Sequence, residues 1–213
     1  LIAILFSTTA FAQSVTPKQV IEKYIEAIGG KEKFAQLEDM TTEMEGEVMG
    51  QTFEMEYVRK APNKFLMIQS MSGMEASKTI FNGETAKVFA QGNEENINEK
   101  KIETIKKQSG MLPELMYLNS DIKLESGPNE TIESEDCYMI SITTDDAAIK
   151  EYYSVATGLK IKQEVEAPNM TITSFFKDYK SYGPGLLFPT LIKQEMMGMN
   201  IETKVTKLLI NSG

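Results

Sequence analysis

Glu130, Glu133, Glu135 and Asp136 form the densest set of chemically capable side chains in the sequence, and together they could hold a hard cation such as calcium. They lack the alternating ligand spacing and the glycine turn of an EF-hand loop, so a solvated loop accounts for them better. Cys137, beside this cluster, is the sole cysteine, which rules out an intramolecular disulfide. It stands in the run Cys137-Tyr138-Met139-Ile140-Ser141-Ile142, a setting that predicts a packed thiol and not a nucleophile. Histidine is absent. That excludes Ser-His-Asp and Cys-His nucleophile systems and the usual histidine-ligated zinc site. No glycine-rich phosphate loop of the Walker or dinucleotide type occurs. Paired carboxylates of the glycosidase kind stay open, because 31 acidic residues allow many pairs, but tryptophan, a common sugar-stacking residue, is missing. The sequence therefore assigns no catalytic residue, no metal ligand and no cofactor.

Apolar side chains offer a different chemistry, the uptake of an oily ligand. In Met40-Thr41-Thr42-Glu43-Met44-Glu45-Gly46-Glu47-Val48 the even positions are mostly apolar and three of the four odd ones are Glu. Phe53, Met55 and Tyr57 repeat the alternation, and Phe65, Met67 and Met71 do so again. Such a period marks half-buried antiparallel strands with one wet and one dry face. The sequence holds 14 methionines, more than the 12 leucines after residue 12, an inversion of ordinary usage. Thioethers are flexible and polarizable, so they fill an irregular core or line a surface that adapts to a variable apolar ligand. Under the second reading Met44, Phe53, Met55, Tyr57, Phe65, Met67 and Met71 line the site. Leu112, Leu115, Met116 and Leu118 are too apolar for an exposed loop, so segment 111–118 must cover something, as permanent core or as a lid. Leu112, Leu115 and Met116 would contact the ligand from that cover. Arg59 is the sole arginine among 22 basic residues and shares the face of Phe53, Met55 and Tyr57 by strand parity. A guanidinium there suits donation to carbonyls of a covering helix, which lysine does poorly; the alternative is a strand-end residue reaching water.

The ends and the charge narrow the setting. Leu1 to Ala12 (LIAILFSTTAFA) is uncharged, too short to span a bilayer, and ends in Ala10-Phe11-Ala12. It matches the apolar core and cleavage site of a secretory signal, with cleavage expected after Ala12 and a mature chain starting at Gln13. No cysteine follows that site, which argues against a lipid anchor. The expectation is an exported protein that does not span the membrane. A net charge of −9 without basic clusters makes a poor partner for nucleic acid or anionic membrane. Two N-x-T sequons, at Asn129 and Asn169, are expected by chance.

Thr16-Pro17-Lys18-Gln19 opens a helix, with Thr as N-cap and Pro in the first turn, and Val20, Ile21, Tyr24, Ile25 and Ile28 form its apolar stripe. Gly29-Gly30 ends it, and a second short helix is predicted from Lys31 to Leu37. Five strands follow between residues 40 and 91, with Asn82-Gly83 among the turn signals. Asn98 to Gln108 reads as a charged helix and Pro113 to Leu118 as an apolar one. About seven more strands run from 121 to 210, and Pro189 inside one of them implies an edge strand or a bulge. A meander this long must curl. The expected fold is mainly β: a strongly curved antiparallel sheet forming an unclosed barrel over a single domain, 13–213. An N-terminal helix and a helical lid or plug lie on the concave side.

Tyr24-Ile25-Glu26-Ala27-Ile28-Gly29-Gly30, Ala61-Pro62-Asn63-Lys64-Phe65, Phe81-Asn82-Gly83-Glu84, Thr157-Gly158-Leu159, Asp178-Tyr179 and Phe188-Pro189 occur in that order across nearly the whole expected mature chain. On these pieces the sequence resembles the LolA-like superfamily of periplasmic lipoprotein-sorting proteins. The resemblance is strongest to a Bacteroidetes-type branch also found fused behind pitrilysin-type zinc proteases. The resemblance implies an unclosed β-barrel whose apolar concave face, covered by helices, holds lipoprotein acyl chains. In the archetypal carrier an arginine immediately before the strand-end proline locks the lid. Ala61 has that place here, and Arg59 lies two residues earlier on the same face, so Arg59 is the candidate lid contact. The expected function is a non-enzymatic carrier for an apolar ligand such as lipid or lipoprotein acyl chains. The alternative is a packed interaction module that docks to an envelope protease or another secreted partner.

Overall fold

The computed structural model describes residues 15–119, 122–144, 147–168 and 170–213. The signal-like segment 1–12, the Asp145-Asp146 turn and the Asn169 sequon lie outside the described residues. Helix α1 (Pro17–Ala27) begins as its sequence dictates. Thr16 and Gln19 form a reciprocal capping box, and Val20, Ile21, Tyr24 and Ile25 are buried along one stripe. After α2 (Lys31–Ala35) the chain enters a run of hairpins: β1 (Asp39–Val48), β2 (Gln51–Lys60), β3 (Lys64–Met71), β4 (Met74–Phe81), β5 (Ala86–Ala90) and β6 (Asn93–Glu95). Helices α3 (Glu99–Gln108) and α4 (Glu114–Asn119) interrupt it. The second run holds β7 (Lys123–Ser126), β8 (Glu130–Ile132), β9 (Glu135–Thr143), β10 (Ala148–Ser154), β11 (Lys160–Ala167), β12 (Met170–Tyr182), β13 (Leu186–Met196) and β14 (Met199–Ile210).

All of these strands join one antiparallel sheet in the order β6-β5-β4-β3-β2-β1-β14-β13-β12-β11-β10-β9-β7, with β8 also paired to β9. The last strand therefore pairs with the first, Met40 opposite Ile210 and Glu47 opposite Glu202, which joins the two runs side by side. The sheet curves without closing, as its alternation predicts, and its free edges are β6 on one side and β7 with β8 on the other. Two short strands, β6 and β8, add to the expected set, because three residues are too few to show a period.

Register places the expected dry face on one side. Met40, Arg59, Phe65 and Phe81 lie in one row across β1 to β4, and Thr42, Tyr57, Met67 and Thr79 lie in the next. That concave side is filled by two separate apolar clusters. Under α1 and α4, Ile21, Ile25, Ile28 and Leu112 pack with Ile140, Ile142, Tyr153 and Leu186. Under α3, Ile105 packs with Phe65, Phe81 and Val88. The two predicted helices between the strand runs thus cover different halves of the sheet.

Pro189 lies in an interior strand, not in an edge strand, and β13 carries no extra residue opposite β12. Its setting is still locally an edge, because β13 pairs with β14 only from Leu191 onward. Above that point the two strands part. The main-chain N–H of Leu187 instead donates to the carbonyl of Ile28, at 2.9 Å, so the end of α1 takes over part of the missing ladder. Gly29 makes this approach possible. Its φ is +129°, and a Cβ there would meet Leu186 Cδ2 at 2.6 Å and the Gly185 carbonyl at 3.1 Å. Gly29→Ala is therefore expected to lower the unfolding free energy by about 1–3 kcal/mol, through strained backbone and overpacking, in urea titrations followed by circular dichroism. An unchanged midpoint would show that α1 does not dock on β13 this tightly.

Candidate functional site

Where β13 and β14 part, the concave side holds a cavity of about 280 Å³. Met40, Met44, Val205 and Leu208 form its wall from β1 and β14, and Ile192 and Phe188 add to it from β13. Met111, Leu112 and Pro113, leading into α4, close it from above. Three charged residues also line it: Arg59, Glu114 and Lys160. A larger hollow, about 390 Å³, lies elsewhere on the sheet, but Glu43, Glu45, Glu54 and Glu56 line it and make it a poor receptacle for an apolar group.

Lys160 is the centre of a buried polar cluster. Its ammonium donates to Glu114 Oε1 and, at 2.8 Å, to Glu151 Oε1. Lys160, Glu114 and Glu151 are 6%, 5% and 0% exposed, so these ions are removed from water. Gln163 Nε2 donates to Glu151 Oε1 at 2.8 Å, and the Tyr153 hydroxyl donates to Glu151 Oε2. The Tyr179 hydroxyl donates to the Lys160 carbonyl at 2.9 Å. The rings of Tyr24, Tyr153 and Phe176 surround the ammonium at 5.4, 5.8 and 5.7 Å. Burial works against the charge on Lys160, but Glu114 and Glu151 outweigh it and hold the group well above the ordinary lysine value. Burial, reinforced by Glu114, pushes the Tyr24 hydroxyl well up, and burial with Glu151 does the same to Tyr153. At neutral pH these tyrosines are therefore neutral.

Local structure explains how Lys160 comes to point inward. The 155–159 turn closes with the Ser154 N–H donating to the Leu159 carbonyl, at 2.8 Å, and with Gly158 at φ +78°. A register shift between Tyr152 and Tyr153 then sets Lys160 opposite Tyr153. Regular pairing would have put Ile161 there. Glu151 follows plain parity, between Ile149 and Tyr153 on the inner face of β10. A carboxylate at period two within an apolar set was the one sequence signal for this cluster. Glu114 gave none, since an acid in a first helical turn is ordinary.

The expected site residues are distributed among several surroundings. Met44, Leu112 and Arg59 line the cavity. Tyr57, Phe65 and Met67 lie in the cluster beneath α3, and Leu115 packs on the cluster beneath α1. Phe53 lies over Gly46, whose Cβ would meet Phe53 Cζ at 2.5 Å. Met55 Sδ accepts from the Tyr57 hydroxyl at 3.3 Å, while Met71 and Met116 are half-buried. Arg59 stacks on Tyr57 and Phe65, and its Nε donates to the carbonyl of Gln108, the last residue of α3, at 3.4 Å. Other methionines face water: Met49, Met74 and Met197, beside hairpin turns, are 89%, 72% and 77% exposed. Cys137 is fully buried, and burial pushes its thiol pKa up, as fits a packed side chain. Among the described residues no group of three or more His, Cys, Asp or Glu is arranged to hold a metal ion. None of their helices is long and apolar enough to cross a membrane.

No protein-family model and no curated protein matches the sequence. Solved structures do share its fold. A LolA superfamily protein from Nitrosomonas europaea superposes with a TM-score of 0.63 at 12% identity, over 94% of this chain and 96% of that one. A DUF1329 family protein from Desulfovibrio piger gives 0.61 at 11% identity, over 94% and 95%. A putative outer membrane lipoprotein-sorting protein domain from Vibrio parahaemolyticus gives 0.52 at 12% identity, over 91% and 94%. The chain therefore has the LolA-like fold that its sequence pieces suggested.

Buried ionisable groups make this site sensitive to alkali. Folding raises the pKa of Lys160, Tyr24 and Tyr153, so at high pH the unfolded chain releases protons that the folded chain keeps. Their stabilisation is complete below about pH 10 and declines as pH rises beyond it. Melting temperatures measured across that range should stay level and then fall steeply; a flat profile would contradict the burial described. Lys160→Met, which leaves two buried carboxylates uncompensated, is expected to lose about 3–5 kcal/mol in denaturant titrations at neutral pH.

Proposed function

We propose that this chain is a non-enzymatic periplasmic protein that binds an apolar ligand, such as a lipid or lipoprotein acyl chain, between its curved sheet and its helical covers. The observation that carries the reading is the cavity beside the cluster under α1 and α4, whose wall includes Met40, Met44, Val205, Leu208 and Ile192. Each methylene buried there contributes about 0.8 kcal/mol, so an acyl chain needs no elaborate polar recognition to bind. Thioethers on the wall accommodate tails of different shape. The fold shared with a putative outer membrane lipoprotein-sorting protein domain is consistent with this role, as is the signal-like start of the sequence.

In this reading segment 111–118 is the cover, and Arg59 helps to hold it by fixing the end of α3 immediately upstream. Arg59→Ala would then leave Gln108 to Leu112 less protected. Hydrogen–deuterium exchange should rise at least several-fold in that segment and stay unchanged in β12 and β13. Equal exchange in both proteins would remove Arg59 from any role in the cover.

One observation favours an alternative, a packed interaction module that docks to an envelope protease or another secreted protein. Tyr57, Phe65 and Met67 are already spent on the cluster under α3, while Met49, Met74 and Met197 are exposed. The two readings separate on one measurement. Binding of the neutral dye N-phenyl-1-naphthylamine should be saturable in the wild type and at least about tenfold weaker in Val205→Lys, which places a charge on the cavity wall. Native mass spectrometry of protein isolated from its own envelope should show an added lipid mass. No dye uptake, with only the apo mass present, would decide for the packed module.

A further inference from the structure

Methionine occupies the hairpin turns at one end of the sheet. The neighbouring hairpins β3–β4, β1–β2 and β13–β14 turn at Ser72-Gly73, Met49-Gly50 and Met197-Gly198. These turns lie at the end of the strands away from α1, whose last residues touch the start of β13. Met71 faces Met74 across the base of the first turn, and Met196 faces Met199 across the base of the third. Met49, Met74 and Met197 are exposed. Turns at the opposite end, among them Asn82-Gly83 and Thr157-Gly158, carry no methionine. Both central residues of the exposed turns have positive φ, +53° and +76° at Met49-Gly50 and +51° and +77° at Met197-Gly198. The first place in such a two-residue turn favours asparagine, aspartate or glycine. Neither packing nor turn chemistry therefore accounts for methionine at these two tips. From β4 to β13, at about 4.8 Å per strand, the row spans about 24 Å.

Glutamate covers the adjoining convex face. Glu43 stands opposite Glu56, Glu45 opposite Glu54, and Glu47 opposite Glu202. Like charges placed directly across strands weaken a sheet. Lys207 pairs with Glu43, and Lys193 and Lys204 pair with Glu202. Glu45, Glu47 and Glu54 have no ion pair among the described residues. We propose that this rim docks a basic amphipathic segment of another protein, about 16 residues long if helical. Its apolar stripe would lie on the methionines, and its lysines or arginines would face the glutamates of the convex side. Thioethers suit such a surface because they adapt to the shape of a partner. Charge selects among the possible occupants: an anionic bilayer and a second copy of this chain, at net charge −9, would both be repelled. The assignment is independent of what the cavity holds, since none of these rim methionines lines it.

A fluorescent amphipathic peptide of leucine and lysine, 16 residues long, titrated with the full chain at physiological salt, tests the assignment by anisotropy. It should bind saturably, at least about tenfold more tightly than the same peptide with glutamate in place of lysine. Met49→Asn combined with Met197→Asn removes two tips and gives both turns a preferred residue. Its urea midpoint should not fall, while its affinity for the lysine peptide should drop at least about fivefold. Glu45→Gln combined with Glu54→Gln should weaken binding to a similar degree. Equal binding of the two peptides, or undiminished affinity in either double variant, would overturn the assignment. A lower midpoint in the methionine variant would also overturn it, by showing that these side chains serve the fold. Displacement of the peptide by N-phenyl-1-naphthylamine would place the peptide in the cavity and not on the rim. Co-sedimentation with phosphatidylglycerol vesicles, lost in the methionine variant, would give the rim to a membrane instead.

Discussion

Lys160 ties the cover of the cavity to the sheet beneath it. One ammonium reaches Glu114, at the start of α4, and Glu151, in the middle of β10, while the residue itself begins β11. Removing such ions from water costs several kcal/mol per ion, and their mutual attraction offsets this only when the geometry is good. The cluster is therefore better understood as fixing position than as adding stability. If α4 shifted along the sheet, Glu114 would leave its counter-ion while remaining out of water. Apolar contacts alone, such as Leu112 on Ile140 and Leu186 in the same cluster, would tolerate that sliding far more readily.

A second constraint acts on the main chain. Pro189 cannot donate to a neighbouring strand, and the ladder between β13 and β14 begins only beyond it. The sheet opens at that point, and the chain satisfies part of the exposed edge with the carbonyl of Ile28 at the end of α1. Helix, strand separation and cavity thus have one origin. The space that Met40, Val205 and Leu208 border exists because two adjacent strands stop pairing before they end.

Much of the architecture was legible in the sequence because it depends on local rules. The Thr16–Gln19 box, the apolar stripe of α1 and the alternation of β1 to β3 each follow from near neighbours. The candidate site was less so. Lys160 turns inward because of a single register shift, which no pattern of residue types announces. Pro189 implied an edge strand or a bulge and the structure has neither there; the gap beside it depends on where β14 ends its pairing with β13. Alternation also placed Tyr57, Phe65 and Met67 on the concave side, yet it had no means of showing that α3 already occupies that part. What separates lining from core is a long-range contact, and sequence periodicity carries only short-range information.

An open sheet has two unpaired borders, and these borders are shaped to stay solitary. β6 is only Asn93-Glu94-Glu95, and the other border is divided between β7, Lys123-Leu124-Glu125-Ser126, and β8, Glu130-Thr131-Ile132. Each offers a few main-chain groups flanked by charge, too little to template strand addition by another molecule. The concave side can therefore remain unsealed without inviting lateral polymerisation, a hazard that a full barrel avoids by closing upon itself.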